Sequence, residues 1–424
     1  MIVFYNIVQV AVLLLLWPLI LLVVVGRAKY RARMPARLGL GLDRYLAQLP
    51  AGRPRIWIHV LSLGEARSAL SLVRALRQRY PGATLLFSCT TTAGERFVRS
   101  LADFPIDRLI PFPLDLYPVT RRFIGAIRPD LFVLVETDFW PNLLHGLQRA
   151  AIPAVLVNGR ISEGSYTRYR RLRPLFLPLF ASFRVLALQR RLDMERMAEL
   201  GVKRQRLRVL GNLKYDAVLP TAVRPFARED FAIGSHRLVW IAGSTHPGEE
   251  EIVCAVFQRL RHAFPALFLI IAPRAVERAD EVERLVRRHD LAVSRRSSGM
   301  EADNQVMVLD TMGELAGLYA IADIAFVGGS MVAEGGHNPL EPAVFGVPVF
   351  FGVHMEDFAD VVEEMMAEGC AEEVGDAEEL AEKIAPLLAD EVLRKEWGTT
   401  ARTFVTARQG VNDRYLDLIG EALS

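Results

Sequence analysis

The chain has 424 residues, more than one ordinary domain holds, and its size suits two domains. Its 51 basic and 49 acidic side chains leave a formal net charge of +2. They are interspersed, without a basic stripe that carries interleaved aromatic side chains, so nothing in the composition indicates nucleic-acid binding. Three cysteines stand far apart without CxxC spacing and predict buried, reduced thiols in a cytoplasmic body: Cys89, Cys254 and Cys370.

Residues 1–26 contain no charged side chain and are dominated by Leu, Val and Ile. About 20 such residues cross the hydrocarbon core of a bilayer as a helix, at about 1.5 Å per residue. Five basic residues follow at once: Arg27, Lys29, Arg31, Arg33 and Arg37. Positive charge collects on the cytoplasmic side, so we predict a single-pass anchor at 1–27, an outward N-terminus and a cytoplasmic body. A cleaved signal peptide is the alternative, and it would carry its basic residues before the apolar run.

Short apolar runs rich in Val, Ile and Leu alternate with amphipathic stretches through the rest of the chain. In the first half the predicted strands are 56–62, 84–89, 131–135, 154–158 and 184–188, and the predicted helices are 65–80, 93–101, 117–127, 141–150 and 192–200. In the second half the predicted strands are 238–242, 267–272, 306–309, 323–327 and 347–351, and the predicted helices are 248–263, 277–289, 313–321 and 340–345. Continuous apolar strands separated by helices indicate parallel sheets covered on both faces.

A loss of periodicity near 214–236, together with Pro220 and Pro225, divides the body. The body then divides into four predicted parts. They are an N-terminal acceptor-binding Rossmann-like domain (28–217), a linker (218–236), a C-terminal nucleotide-sugar-binding Rossmann-like domain (237–405) and a C-terminal helix (406–424). The last helix is a candidate to pack back on the N-terminal domain. Two doubly wound α/β domains bind ligands at the carboxyl ends of their strands, in the architecture that is called GT-B in glycosyltransferases.

Acids follow two predicted strands of the first half. Glu65 lies in Ser62-Leu63-Gly64-Glu65 and is a candidate catalytic group, but Ser-x-x-Glu is also a capping box in which Glu65 would accept from the Ser62 N–H. Glu136 and Asp138 follow the third strand beside Trp140. Charges are seldom buried without a partner, so two acids beside an aromatic side chain favour a sugar-acceptor site. Lys214, just before the linker, either faces the ligand or is an ordinary solvated lysine.

Four predicted strand ends of the second half carry residues that suit a nucleotide. Ser244 and Thr245 precede a helix, where small hydroxyl side chains can hold phosphate. Pro273-Arg274 ends the next strand and offers a guanidinium for bidentate phosphate binding. Thr311-Met312-Gly313-Glu314 follows a third strand, and Thr311 and Glu314 also match a capping box. Capping alone would not arrange such residues at four consecutive strand ends, so their convergence favours a nucleotide site.

The fourth strand end leads into residues 328–343, Gly-Gly-Ser-Met-Val-Ala-Glu-Gly-Gly-His-Asn-Pro-Leu-Glu-Pro-Ala. Four glycines let the backbone approach a ligand closely, and free N–H groups at a helix start attract phosphate. We expect Asn338 to cap a helix that has Pro339 at its first position. Glu341, in its first turn, suits the two vicinal hydroxyls of a ribose. The alternative for this block alone is a Gly-rich turn capped for stability.

These motifs resemble those of the 3-deoxy-D-manno-octulosonic acid (Kdo) transferases of Gram-negative bacteria, which are GT-B enzymes that move Kdo from CMP-Kdo onto lipid A precursor. The resemblance covers almost the whole chain, including the N-terminal anchor. Further motifs also carry it: Thr90-Thr91-Thr92, Val157-Asn158, Gly211-Asn212-Leu213-Lys214, Ala242-Gly243-Ser244-Thr245-His246 and Asp310-Thr311-Met312-Gly313-Glu314-Leu315. The chain departs from the family at Asp138, Gly159 and Ala275, where Glu, Ala and His are usual.

The resemblance implies an inverting transfer, with Glu65 as the general base and Glu136 and Lys214 as a charge-stabilising pair. It implies CMP contacts at nine residues: Pro273, Arg274, Met312, Gly313, Glu314, Asn338, Pro339, Leu340 and Glu341. It further implies CMP-Kdo and lipid A precursor (lipid IVA) as substrates, the bacterial inner membrane as the location, and neither a cofactor nor a metal ion, because Arg274 and helix N–H groups can hold the charge of the departing CMP. The sequence indicates no protein partner. Two alternatives remain open: another membrane-associated GT-B enzyme that uses a UDP-sugar, such as a lipid A disaccharide synthase or an epimerase, or a non-catalytic nucleotide-sugar-binding protein.

Overall fold

The computed structural model describes residues 2–101, 103–136, 138–218, 224–299 and 304–424. The chain divides into two compact units, one formed by Met1–Ala217 with Gly410–Ser424 and the other by Val218–Gln409. Thr137 of the acidic motif and Pro220 of the expected linker lie outside the described residues.

The first unit is a doubly wound α/β structure. Its strands are β1 (Arg55–Val60), β2 (Thr84–Cys89), β3 (Arg108–Ile110), β4 (Leu131–Val135), β5 (Ala154–Gly159), β6 (Val185–Leu188) and β7 (Leu207–Val209). Its helices are α1 (Ile2–Gly26), α2 (Ala28–Arg37), α3 (Leu42–Leu46), α4 (Leu63–Arg79), α5 (Thr92–Ser100), α6 (Tyr117–Ile127), α7 (Pro141–Arg149), α8 (Glu163–Arg171), α9 (Arg173–Phe180) and α10 (Arg191–Glu199). The strands form one parallel sheet in the order β3-β2-β1-β4-β5-β6-β7.

The second unit repeats this plan. Its strands are β8 (Leu238–Thr245), β9 (Leu267–Pro273), β10 (Val293–Arg295), β11 (Val306–Val308), β12 (Ile324–Val327), β13 (Val349–Phe351) and β14 (Ala371–Glu373). Its helices are α11 (Glu249–Ala263), α12 (Ala279–Arg288), α13 (Leu315–Leu318), α14 (Leu340–Ala343), α15 (Ala359–Ala367), α16 (Ala377–Ala389) and α17 (Glu391–Thr406). The strands again form one parallel sheet, in the order β10-β11-β9-β8-β12-β13-β14.

The two parallel sheets confirm the predicted fold class. Their central strands are buried along almost their whole length, as continuous apolar runs require when helices cover both faces. Four further strands, β3, β7, β10 and β14, have three residues each and lie at the outer edges of the sheets. Charged residues interrupt the apolar run in each of them, which is why the sequence did not predict them. Strands β11 and β13 are equally short but wholly apolar, and the sequence did predict them.

After the second unit the chain returns to the first unit as α18 (Val411–Leu423). Its apolar face joins the same core cluster as β1, β2 and α4, through six buried side chains: Val411, Tyr415, Leu416, Leu418, Ile419 and Ala422. Asp216 fixes the start of this helix, because its carboxylate accepts from the Gly410 N–H at 2.8 Å and from the Asn412 N–H at 2.6 Å.

The second part of the expected linker belongs to the second unit. Phe231 and Ile233 are buried against strands β8 and β9. Arg228 donates to Asp323 at 2.6 Å, and Asp323 lies immediately before β12. The segment from Phe226 onward is therefore packed structure rather than a free connection.

Helix α1 is long and apolar enough to cross a membrane by length and composition. From Leu14 to Val23 its described side chains are exposed, whereas Tyr5, Asn6 and Gln9 face the first unit.

Candidate active site

Glu65 lies at the carboxyl end of the first sheet, in the first turn of α4. The Ser62 hydroxyl caps this helix by accepting from the Glu65 N–H at 3.3 Å. In return, Glu65 Oε2 accepts from the N–H of Leu61 at 2.6 Å, one residue before the Ser62 N–H that the sequence predicted. The carboxylate is only 7% exposed. Burial, then the charge of Glu136, raises its pKa to about 8, against the opposing effect of the Leu61 bond.

Glu136 and Lys214 lie on neighbouring segments that Asn158 connects. Glu136, in the turn after β4, adopts a left-handed backbone with φ +65° and accepts from the Asn158 amide at 3.3 Å. Asn158 is fully buried, and its side-chain oxygen accepts from the Leu213 N–H at 3.0 Å. The Lys214 N–H in turn donates to Asn212 at 3.0 Å. A buried amide thus ties the Glu136 turn to the segment that carries Lys214.

Tyr415, on α18, hydrogen-bonds to both of these segments. Its hydroxyl accepts from the Asn158 N–H at 2.9 Å and donates to the Gly211 carbonyl at 2.9 Å. No local pattern could reveal this role, because Tyr415 lies more than 200 residues from both partners.

His59 holds Asp138, the second acid of the Glu136 motif. The ring is fully buried and stacks on Phe112 with centroids 3.5 Å apart. Its Nδ1 lies 2.9 Å from the Ser88 hydroxyl oxygen and 3.1 Å from the Ser88 carbonyl oxygen. Its Nε2 lies 3.3 Å from Asp138, which also accepts from Thr90 at 3.3 Å. Burial lowers the pKa of His59 while Asp138 opposes this shift. Sequence reasoning missed His59, whose one signal was a histidine inside an apolar strand.

The predicted nucleotide residues of the second unit lie at one edge of its sheet. Strands β11, β9, β8 and β12 are adjacent and parallel, so their carboxyl ends meet there. Four segments follow these strands: 310–314, Pro273-Arg274, Ser244-Thr245 and 328–341. The structure thus brings together all four strand ends that the sequence singled out.

The glycine-rich segment differs from the expectation. The buried carboxylate of Glu249 accepts from the N–H groups of Gly329, Ser330 and Met331, at 2.7, 3.0 and 2.9 Å. It also accepts from the His246 N–H at 2.8 Å. We expected free backbone N–H groups here to attract phosphate, but Glu249 already occupies these three. A Cβ at position 328 would lie 2.6 Å from the Ser244 carbonyl oxygen, so the glycine serves internal packing.

Asn338 and Glu341 interact at the start of α14. Asn338 accepts from the Leu340 N–H at 3.2 Å, and its amide donates to Glu341 at 3.4 Å. The helix begins at Leu340, so Pro339 precedes it instead of occupying its first position as predicted. Burial raises the pKa of Glu341, and the positive charge of Arg274 opposes that shift. Arg274 and Glu341, predicted to bind phosphate and ribose, therefore lie close enough to interact.

Two hydroxyl groups of the predicted site already have partners. The buried Thr245 donates to Glu250 at 2.9 Å, and Glu250 is paired with Arg278 at 2.8 Å. Ser244, beside it, has a left-handed backbone with φ +57°. Thr311 donates to the carboxylate of Glu314. The Thr245 hydroxyl therefore makes a hydrogen bond within the protein, where we expected it to contact phosphate.

Glu314 does not form the capping box that the sequence suggested, since α13 begins at Leu315. Arg296 holds its carboxylate instead, with contacts of 3.3 and 3.4 Å. Between Thr311 and Glu314, Met312 is 76% exposed and Gly313 has φ +82°. Sequence reasoning missed Arg296, which lies before β11 on a segment without a recognisable motif.

His246 and His337 connect the β8 and β12 loops. Their Nε2 atoms are 2.9 Å apart and their rings stack with centroids 5.2 Å apart. The two residues are 91 positions apart, so no local spacing could reveal this pair. Among the residues that the structure describes, no group of three or more His, Cys, Asp or Glu side chains is arranged to hold a metal ion. The three cysteines are free thiols and are all buried.

Comparison with known proteins agrees with this arrangement. Residues 32–217 match the family model of the 3-deoxy-D-manno-octulosonic-acid transferases (kdotransferases), and residues 253–404 match the glycosyl transferases group 1. A 3-deoxy-D-manno-octulosonic acid transferase from Haemophilus influenzae is 34% identical, with 96% of each chain covered. One from Bordetella pertussis is 33% identical over 92% of this chain and 91% of its own.

A UDP-GlcNAc 2-epimerase from Neisseria meningitidis shares the fold, with a TM-score of 0.59 over 87% of this chain and all of its own, at 12% identity. This likeness concerns the fold alone. The relatives from Haemophilus and Bordetella match along nearly their whole length, so the chain belongs to the family of 3-deoxy-D-manno-octulosonic acid transferases and is a glycosyltransferase of the GT-B fold.

Proposed function

We propose that this enzyme transfers Kdo from CMP-Kdo to a hydroxyl of lipid A precursor, with inversion at the anomeric carbon. The observation that carries the proposal is the state of Glu65. Its carboxylate is buried beside Glu136 and Asp138, and its pKa is raised to about 8. A carboxylate of this basicity is suited to accept a proton from a sugar hydroxyl near neutral pH.

The proposed reaction breaks the bond between the anomeric carbon and the CMP oxygen while the acceptor oxygen attacks. Glu65 takes the hydroxyl proton, and CMP leaves with the bonding electron pair. Partial positive charge develops on the sugar, and the carboxylates of Glu136 and Asp138 supply negative charge that favours it. Asn158 and His59 fix these two acids, which limits the reorganisation needed during the reaction.

On the donor side, we propose that Arg274 binds the CMP phosphate and that Glu341 binds the ribose hydroxyls. Lys214 has two anionic targets, the Kdo carboxylate and the phosphate. We further propose that no metal ion takes part, because CMP departs as a stable anion that Arg274 can hold. Transfer that continues in excess EDTA would support this, and loss of transfer that added Mg²⁺ restores would contradict it.

We also propose that the protein works at the cytoplasmic face of the bacterial inner membrane, where a phosphorylated glycolipid acceptor is presented. The apolar helix α1 and the basic residues that follow it support this location, since basic segments are attracted to anionic lipid surfaces.

The test is incubation of the full-length protein with CMP-Kdo generated in situ and tetraacylated lipid A precursor, followed by mass spectrometry of the lipid. We expect a mass increase of one or more Kdo units. UDP-GlcNAc in place of CMP-Kdo is the control donor. Transfer from UDP-GlcNAc, or CMP binding without any transfer, would overturn the proposal.

A further inference from the structure

The first turns of α1 are bonded to the body of the first unit. Tyr5 donates to the Asp115 carboxylate at 3.0 Å, and Gln9 donates to the Asp115 carbonyl at 2.9 Å. Asn6 and Asn142 exchange two amide bonds of 2.9 Å each. The polar side chains of an otherwise apolar helix therefore lie on one stripe and meet polar partners.

These partners belong to the interior of the first unit. Asn142 is fully buried and Asp115 is 5% exposed. The Asp115 carboxylate also accepts from the N–H groups of Asn142 and Leu143, at 3.0 and 2.9 Å, at the start of α7. The stripe of α1 thus completes a buried hydrogen-bond network instead of resting on a loose surface.

Helix α2, which follows α1, returns the chain to the same part of the first unit. Arg33, in α2, donates to Thr92 at 3.1 Å and forms an ion pair with Glu95 at 3.1 Å. Arg37 donates to the Phe112 carbonyl at 3.1 Å, and its own carbonyl accepts from the Leu114 N–H at 3.0 Å. Leu114 precedes Asp115 directly, so the chain leaves and rejoins the body at neighbouring residues.

The length of α1 determines whether it can cross the bilayer while it stays bonded to the body. After Gln9 the remainder of α1, residues 10–26, can extend about 26 Å at about 1.5 Å per residue. The hydrocarbon core of a bilayer is about 30 Å thick. Arg33 and Arg37 are charged and bond to the body of the first unit, so α2 stays at the aqueous boundary. Because the first turns of α1 and the following helix α2 are both held on one body, a helix this short does not end on the far side of the membrane.

We propose that α1 lies along the cytoplasmic leaflet with both of its ends on the side of the membrane that holds the body. The acyl chains of that leaflet cover the described side chains of α1 that are exposed from Leu14 to Val23. The stripe of Tyr5, Asn6 and Gln9 holds the N-terminal end to the body. This arrangement replaces the single crossing with an outward N-terminus that composition alone predicted.

A consequence for the acceptor rests on the proposed function. Asn142 lies two residues after Trp140, so the stripe docks α1 beside the segment from Glu136 to Trp140 that we expect to line the acceptor site. A helix in this position places the acceptor motif at the surface of the leaflet that contains the glycolipid.

The test is the side of the membrane on which the N-terminus lies, read by cysteine labelling of the full-length protein. The native cysteines are buried, so a single cysteine in a short hydrophilic N-terminal extension gives the signal. Val392→Cys, at a site 66% exposed on the body, is the matched control. A membrane-impermeant maleimide is added to spheroplasts or to inside-out vesicles. We expect both cysteines to be labelled only in vesicles, and labelling of the N-terminal cysteine in spheroplasts would overturn the proposal.

A second variant tests the stripe. Tyr5→Phe, Asn6→Leu and Gln9→Leu together remove its hydrogen bonds and lengthen the apolar run. We expect labelling of the N-terminal cysteine in spheroplasts to rise severalfold, because the freed helix can now cross. Labelling that stays confined to vesicles would contradict the stripe as the restraint. Neither readout depends on sugar transfer, so failure of this proposal and failure of the proposed function are distinguishable.

Discussion

Glu65 accepts a hydrogen bond from the Leu61 N–H at 2.6 Å, so the side chain caps α4 and also lies in a cluster of acids. The sequence presented these two roles as alternatives. In the structure they occur together, because the bond to Leu61 fixes the carboxylate in the place where burial, and then the charge of Glu136, raises its pKa. Experiments must therefore separate the two roles instead of choosing between them.

Glu65→Gln should lower turnover strongly and leave the fold intact. The glutamine oxygen can still accept from the Leu61 N–H, so the melting temperature and CMP affinity should stay near normal. Turnover should fall about 100-fold or more, because the amide cannot accept a proton. Ser62→Ala is the matched control: it removes the cap, costs about 1 kcal/mol of stability and should retain turnover. Transfer by Glu65→Gln within a few fold of the wild type would refute Glu65 as the base.

The pH dependence of transfer should follow the ionisation of Glu65. Burial, then the charge of Glu136, raises its pKa to about 8, so the group is protonated and inactive at lower pH. We expect kcat/KM to rise with pH through an apparent pKa near 8. Asp138 contributes a smaller upward shift, so Asp138→Asn should move this limb to lower pH. A rate that is flat between about pH 6 and pH 9 would exclude this assignment.

Arg274→Ala and Glu341→Gln should each weaken CMP binding. Loss of a charge-assisted hydrogen bond costs about 1.5–3 kcal/mol, which corresponds to roughly tenfold or more in Kd. Arg284→Ala, an exposed arginine on α12, removes the same charge elsewhere in the unit and should leave Kd unchanged. Calorimetry with CMP measures all three. Equal affinity in Arg274→Ala, Glu341→Gln and the wild type would remove the nucleotide site from this edge of the sheet.

Tyr415→Phe should lower kcat more than it changes KM for CMP-Kdo. It leaves the buried Asn158 N–H and Gly211 carbonyl without the hydroxyl that joins them, at a cost of about 1–3 kcal/mol. The segments that carry Glu136 and Lys214 then lose a shared brace. Tyr166→Phe, a tyrosine on α8, is the control for loss of a hydroxyl. A lower melting temperature with unchanged kcat would mean that Tyr415 serves stability alone.

Glu249→Gln should disorder the glycine-rich segment. The carboxylate serves four N–H groups with two oxygens, whereas an amide offers a single oxygen. Each buried N–H left without an acceptor costs about 1–3 kcal/mol, so we expect a clear fall in melting temperature. Glu251→Gln, an exposed neighbour on α11, is the control. If Glu249→Gln had the same melting temperature as the wild type, the N–H groups of the glycine-rich segment would have other acceptors.

The sequence predicted the sheets because their central strands are continuous apolar runs, such as Leu131–Val135 and Val155–Val157. It also predicted which strand ends carry polar chemistry, since glycines, acids and hydroxyl residues interrupt the apolar pattern there. What it could not predict is where each backbone N–H finds its acceptor. In the sequence Glu249 was the second residue of a predicted helix, and only the fold shows that its carboxylate reaches Gly329, 80 positions away.

The residues missed in the candidate site share a physical reason. His59, Arg296 and Tyr415 act on partners that only the fold brings near. His59 meets Asp138 because β1 and β4 are adjacent, although β2 and β3 separate them in the chain. Residue spacing in a sequence predicts local contacts, but it does not predict which distant strands lie side by side.

Because α18 packs in the first unit, it determines when that unit can complete its fold during synthesis on the ribosome. The side chains of Val411, Tyr415 and Ile419 belong to the core around α4, yet they are synthesised only after the whole second unit. The second unit therefore has all its residues while the first still exposes an apolar groove along α4. The first unit therefore completes its fold only after the second unit has been synthesised. A chain truncated at Gln409 would lack α18 and would be defective in the first unit, although it contains all of the second.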